Sequence, residues 1–422
     1  MPVADLAGWA RARALAGASP APAACGRGPE RSRHCGVPPA AAAGASCGGP
    51  GARRWPPPGC APLLAGLALL VSPAAALARR LRRLLCPLTE ADRRANDLFR
   101  RDAPLDGAVG GAAATDWQLA GEGLRRLRAV VAAMDQKGCE GPLSAWETER
   151  AAAPRPGGGE VPVLIRRCPG GGAEVASRAG CPLVVWLHGG AFTISSVKSG
   201  MSFYSATEPF GAHVAGELRA ACGPFVWASI EYRRAPEAPF PAAIEDCVAA
   251  LRWLQRPEQA ERFGYSPARI SLAGASAGAN LAAFAALLSD APLSSLVLLF
   301  PFLDPATSRG SYARWGHLGY SYAPFLRWSW RAYLQGRSPD AANPALQPGW
   351  SGGARPPVLV CTGTADALRE EGLDMVRRLR RQGVRCRHVR ARGSHCAGIL
   401  FDGWARRAVV QWWLKRLRES GE

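Results

Sequence analysis

The chain has 422 residues, 48% of them hydrophobic, with 52 Lys+Arg against 33 Asp+Glu for a formal net charge of +19. It is longer than one ordinary domain and apolar enough for a full core, which excludes wholesale disorder, and it carries no collagen-type or solenoid repeat. The charge names no partner. Only Lys137, Lys198 and Lys415 are lysines, so the excess is almost all arginine. No zinc-finger spacing, RNP-like aromatic motif or Gly-Lys-Ser/Thr phosphate loop accompanies it, and no nucleic-acid partner is expected. The 13 cysteines are odd in number and include no C-x-x-C pair, so neither a metal site nor a disulfide framework is expected.

Residues 1–88 form a low-complexity Arg/Ala/Pro-rich leader holding eleven Arg against Asp5 and Glu30. Its apolar segment, 61–78, has about the 17–25 residues that a bilayer span needs, although Pro62, Gly66 and Pro73 interrupt it. Membrane anchor, organelle-targeting leader and inert extension all fit this composition.

From Thr89 the acids return. Leu119, Leu124, Leu127, Val130 and Val131 recur at helical spacing, and 89–160 reads as an N-terminal cap and linker ahead of a catalytic domain at 161–422. Gly157-Gly158-Gly159 predicts a turn before a strand at 161–165. Short apolar runs bounded by Gly or Pro follow at 183–187, 225–230, 270–273, 296–300 and 358–361, as suits strands buried on both faces of a parallel sheet. Between them, Ile244, Cys247, Val248 and Leu251 mark one helix and 277–288 another. Val409, Trp412, Trp413 and Leu417 line a last helix, with Asp402 placed to cap it. The alternation predicts an α/β architecture: a mainly parallel twisted sheet with helices on both faces.

The strongest chemical signal is Gly274-Ala275-Ser276-Ala277-Gly278, lying between a predicted strand and a predicted helix. A serine on such a turn is held in a strained conformation, and its neighbours two away must be tiny. A serine hydroxyl needs a base, and in this architecture the acid and then the histidine follow it in the chain. Asp366 lies just past the strand at 358–361, with Asp304 the main rival. His395 lies in a loop beyond the extended run 384–390, whereas His388 lies inside that run, so His395 is the better base. Glu370, Glu371 and Asp374 read as a solvated helix face. His188-Gly189-Gly190-Ala191-Phe192 directly follows a strand, and backbone N–H groups of that loop, with that of Ala277, suit an oxyanion hole.

Four segments together resemble the hormone-sensitive-lipase-like branch of the α/β-hydrolases, the fold-3 family. They are 188–192, Tyr232-Arg-Arg-Ala-Pro-Glu-Ala-Pro-Phe-Pro-Ala-Ala-Ile-Glu-Asp246, 274–280, and Asp366-Ala-Leu-Arg-Glu-Glu-Gly372 with Gly393-Ser-His395. The resemblance covers about residues 160–418. It implies an α/β-hydrolase fold with a helical cap, drawn here from about 90–140 and 310–335. It implies Ser276 as nucleophile, Asp366 as acid, His395 as base and Gly189, Gly190 and Ala277 as oxyanion donors, with structural roles for Glu237 and Asp246. The implied activity is hydrolysis of short to medium acyl or aryl esters through an acyl-enzyme, with no metal or cofactor. A non-catalytic small-ligand receptor and an amidase or deacetylase are the alternatives on the same fold. This chain departs from the family pattern at Ala191, Ala275, Ala279 and Cys396. The aromatic residues from Tyr312 to Tyr333 suit either an acyl pocket or cap packing.

Overall fold

In the computed structural model of the chain, the described residues are 146–167, 181–195, 223–289, 291–317, 321–351, 355–395 and 403–419, with residue 220 and most of 121–129. The leader, its apolar segment 61–78, the rest of 89–145, Cys396 and Asp402 lie outside them.

Eight strands form one sheet in the order β1-β2-β4-β3-β5-β6-β7-β8. They are β1 (Glu147–Pro154), β2 (Glu160–Arg167), β3 (Leu183–Leu187), β4 (Val226–Ile230), β5 (Ile270–Ala275), β6 (Ser295–Leu299), β7 (Val358–Gly363) and β8 (Cys386–Ala391). From β4 to β8 the pairing is parallel, and β3, β4, β5, β6 and β7 are buried along their whole length. Strands covered on both faces need no polar alternation, which is why they appear in the sequence as continuous apolar runs.

The first two strands depart from that pattern. β2 pairs antiparallel with both β1 and β4, and a turn with Gly157, Gly158 and Gly159 at φ 87°, 108° and 80° joins β1 to β2. Glycine is the residue that enters this region without steric cost. β1 falls inside the stretch read as cap and linker, so 89–160 supplies an edge strand of the sheet. Its sequence, ETERAAAP, has little apolar signal because most of the strand faces solvent.

Among the described residues the main helices are α1 (Ala242–Leu254), α2 (Pro257–Phe263), α3 (Ala277–Leu288), α4 (Gly310–Trp315), α5 (Ala323–Leu334), α6 (Arg369–Arg381) and α7 (Gly403–Glu419). One face of the sheet packs on a core that includes α1, α3, α5 and α6. The other face is covered by α7, whose Val409, Trp413 and Leu417 meet Trp186, Trp227 and Val297. Trp413 donates its indole N–H to Ser271 at 2.6 Å, which satisfies the one polar atom of that ring. Every residue of α3 is buried, as expected for a helix apolar on all sides.

The β8 edge is strongly cationic: Arg385, Arg387 and Arg390 are exposed, as are Arg377, Arg378, Arg380 and Arg381 on α6 just before it. The Arg380 guanidinium donates to the Cys386 carbonyl. Among the described residues, no helix is long and apolar enough to cross a membrane.

Candidate active site

Ser276 stands where β5 turns into α3, at φ 54° and ψ −120°. This left-handed backbone is costly for a residue with a side chain, and the surrounding contacts impose it. The Ser276 N–H donates to the Leu299 carbonyl at 2.8 Å, and its own carbonyl accepts from Ala279 at 3.0 Å and Phe302 at 3.1 Å. The two flanking glycines are sterically required. A Cβ on Gly274 would stand 2.2 Å from the Gly278 carbonyl oxygen, and one on Gly278 would stand 2.1 Å from that of Leu187. The start of α3 therefore lies directly on the end of β3 and the loop that follows it.

That loop is His188-Gly189-Gly190-Ala191-Phe192. Gly190, Ala191 and Phe192 all have positive φ, at 103°, 50° and 64°. The Thr193 and Ile194 N–H groups both donate to the Gly190 carbonyl, which closes the turn. Behind it, the His188 ring stacks on Tyr232 at 4.2 Å, and the Tyr232 hydroxyl donates to the His188 carbonyl at 2.7 Å. Burial holds the His188 imidazole below its usual pKa, and burial raises the Tyr232 phenol well above its own. Both are thus kept neutral as supports for the loop. Arg128, helical with its neighbours Leu127 and Ala129, donates to the Thr193 and Ala235 carbonyls and pairs with Glu237 at 2.7 Å. That pairing depresses the Glu237 pKa.

The candidate acid comes from the other side. Asp366 is fully buried after β7, and its Oδ1 accepts the Leu368 N–H at 2.9 Å. Its Oδ2 lies 2.8 Å from His395 Nδ1, and His395 Nε2 lies 3.1 Å from Ser276 Oγ. The carboxylate selects the tautomer with the proton on Nδ1, so Nε2 presents its lone pair to the serine hydroxyl. The Ala365 N–H donates to Gly393 at 2.8 Å, and the Gly393 N–H donates to the Thr364 hydroxyl at 3.0 Å. These bonds fix the histidine loop to the acid loop. The Phe300 ring meets His395 edge-on at 5.7 Å.

The sequence candidates Ser276, Asp366 and His395 therefore meet in one hydrogen-bonded chain, beside the loop holding Gly189 and Gly190 and the first helical residue, Ala277. The rivals are engaged elsewhere. Asp304 pairs with Arg309 at 2.9 Å, and His388 Nε2 lies 2.9 Å from the Thr362 hydroxyl. Asp246 has the structural role expected of it, buried and held by Arg155 at 2.7 Å and Arg233 at 2.9 Å.

One expectation is corrected. Glu370 and Asp374 are half-buried, but Glu371 is buried and accepts hydrogen bonds from the next loop, so it is not on a solvated face. The sequence placed three acids within five residues, and the helical period alone did not separate the inward one from the others. Trp330 and Tyr333 are also fully buried, with Tyr333 stacked on Phe192 at 4.0 Å and Trp330 tilted against Phe302 at 4.6 Å. They pack α5 onto the loop after β3. Among the described residues, no group of three or more His, Cys, Asp or Glu side chains is placed to hold a metal ion.

Comparison with known proteins agrees with this architecture. Residues 184–397 match the family described as alpha/beta hydrolase fold. A carboxylic ester hydrolase of Mycobacterium tuberculosis, LipN, is 30% identical over 288 residues, covering 65% of this chain and 68% of its own. An ethyl acetate hydrolase of Pseudomonas putida is 28% identical over 235 residues, covering 54% of this chain and 68% of its own. The solved Pyrobaculum calidifontis esterase superposes with a TM-score of 0.57 at 27% identity, covering 71% of this chain and 94% of its own. A Ser-His-Asp hydrogen-bond chain at the carboxyl edge of a mostly parallel sheet, the matched family model and these relatives agree: the chain belongs to the α/β-hydrolase fold-3 family.

Proposed function

We propose that this protein is a serine hydrolase that cleaves carboxylic esters through an acyl-enzyme. The observation that carries the reading is the continuous path from Asp366 through His395 to Ser276, at 2.8 and 3.1 Å. In the first half-reaction Ser276 Oγ attacks the ester carbonyl while His395 Nε2 takes its proton. Asp366 holds the imidazole and stabilises the imidazolium. The carbonyl oxygen gains charge as the tetrahedral intermediate forms, and the backbone N–H groups of Gly189, Gly190 and Ala277 receive it. His395 then protonates the leaving alcohol. In the second half-reaction it activates water, which releases the acid and restores Ser276.

The substrate class is short to medium acyl or aryl esters. Ester hydrolases and esterases among the similar proteins, an ethyl acetate hydrolase included, support this reading.

The test is hydrolysis of p-nitrophenyl acetate, butyrate and octanoate by the full chain beside Ser276→Ala. Turnover in the parent that the variant loses by at least 10³-fold is expected. Equal turnover in both would refute the assignment of the nucleophile.

A further inference from the structure

Glu371 lies in the first turn of α6 and is 2% exposed. Its Oε2 accepts the backbone N–H of Leu303 at 2.8 Å and also that of Asp304. Its Oε1 accepts the Tyr312 hydroxyl at 2.9 Å. Three donors from one stretch of chain, 303–312, thus converge on a single buried carboxylate.

That stretch is attached at both ends to the catalytic constellation. Next to Leu303, the Phe302 N–H donates to the Ser276 carbonyl at 3.1 Å, and the Phe302 carbonyl accepts from the Asn280 side chain at 3.0 Å. Both partners belong to the nucleophile turn and the first turn of α3. Next to Tyr312, the Ser311 hydroxyl donates to the Ala367 carbonyl at 2.6 Å, one residue past Asp366. A second strap runs alongside, because Arg309 bridges Asp304 at 2.9 Å and Asp374 at 2.6 Å. Glu371 is the only member of this set that is both buried and bonded to each end of the stretch. Burial pushes its carboxyl well above the usual range, even against the three donors that favour the charged form. A buried carboxyl that holds three donors from one stretch of chain is a candidate for a specific task.

We infer that Glu371 is a positioning residue for the hydrolytic reaction, fixing the acid loop of Asp366 relative to the nucleophile turn of Ser276 through the stretch from Phe302 to Tyr312. The inference rests on the ester-hydrolase reading. Glu371 touches neither His395 nor the scissile bond. It sets the separation across which the Ser276–His395–Asp366 chain must close, and a displacement of about 1 Å there costs on the order of 100-fold in rate.

The experiment compares full-length wild type, Glu371→Ala, Glu371→Gln and Tyr312→Phe. The readouts are kcat and KM on p-nitrophenyl butyrate, the rate of Ser276 labelling by a fluorophosphonate, and thermal unfolding. Glu371→Ala is expected to lower kcat about 100-fold with KM within about twofold, and labelling is expected to slow in proportion. Glu371→Gln keeps the length of the side chain and an oxygen for the two N–H groups, so it is expected to recover about tenfold of that loss. Tyr312→Phe removes one of the three donors and is expected to cost about threefold. If Glu371→Ala does not fold, the other two variants decide the question. Folded variants that unfold at lower temperature but keep wild-type kcat and labelling rate would overturn the inference, since a purely structural role predicts that pattern. A folded wild type that neither turns over nor labels would instead refute the hydrolase reading, and the inference with it.

Discussion

Replacing Gly278 by alanine tests the geometry of the site through a single methyl group. The added Cβ would stand 2.1 Å from the Leu187 carbonyl oxygen and 2.3 Å from that of His188, where real Cβ atoms do not come within 3.0 Å. Both obstacles are backbone, so no side chain can rotate to make room. The start of α3 and the end of β3 must part by about 0.9 Å, the gap between those distances. That movement carries Ser276 with it. The 3.1 Å bond to His395 then lengthens toward 4 Å, where a hydrogen bond is lost. It also separates the Ala277 N–H from Gly189 and Gly190. The expected result is a fall in kcat of about 100-fold together with a loss of about 1–3 kcal/mol in stability. Gly383→Ala is the control. Gly383, unlike Gly278, has positive φ, at 76°, and nothing lies within 4 Å of its added Cβ, so it should lose about 1 kcal/mol from backbone strain and no activity. The assays are p-nitrophenyl butyrate hydrolysis and thermal denaturation followed by circular dichroism. A Gly278→Ala protein within threefold of wild-type kcat would refute the claim that the helix start and the oxyanion loop share one tight contact.

Three further outcomes are expected. Asp366→Asn keeps the size of the side chain but no longer selects the tautomer of His395, and kcat should fall by about 10⁴-fold; a loss below tenfold would remove Asp366 from the acid's role. Ala191 has φ 50°, a region costing an L-residue about 1–2 kcal/mol, so Ala191→Gly should relieve that strain. The freer unfolded chain takes back about 0.5–1 kcal/mol, for a net gain between about 0 and 1.5 kcal/mol in urea unfolding; a clear loss would contradict the strained backbone. His388 has its pKa lowered by burial and by Arg380, Arg390, Arg369 and Arg387. Its folded pKa lies below that of the unfolded chain, so the unfolded state binds the proton first and stability falls as pH drops below about 6.5. His388→Gln should therefore lose less stability than wild type between pH 7.5 and pH 5, and identical losses would refute the shift.

Legibility from sequence followed burial and local constraint. The five fully buried strands could be read as apolar runs, and the nucleophile turn could be read because its spacing of small residues is forced by the contact between α3 and β3. Asp366 and His395 could be named as candidates because chain order and strand ends restrict where an acid and a base can reach the same edge, and the two side chains lie 2.8 Å apart. β1 was missed because seven of its eight residues are not fully buried, so nothing in its composition separates it from a linker. Glu371 was misread for a different reason. Its partners, Leu303, Asp304 and Tyr312, lie about sixty residues away and are mostly backbone, which leaves no mark in the local sequence. The support of His188 by Tyr232, forty-four residues on, was hidden in the same way.

The cationic edge of the sheet bears on how copies of this chain meet in solution. An outermost strand offers unpaired N–H and C=O groups to any extended segment, including the same strand of another molecule. On β8 the Cys386 carbonyl is already taken by Arg380, so one outward acceptor is blocked from within. Arg385, Arg387 and Arg390 would bring like charges face to face if two β8 edges aligned. At the opposite edge, Glu147 and Glu149 of β1 are already held by Arg167, and Glu149 also by Arg262, so they are poor anchors for a foreign arginine. Part of the arginine excess that named no partner in the sequence thus stands where like charge opposes the pairing of two β8 edges.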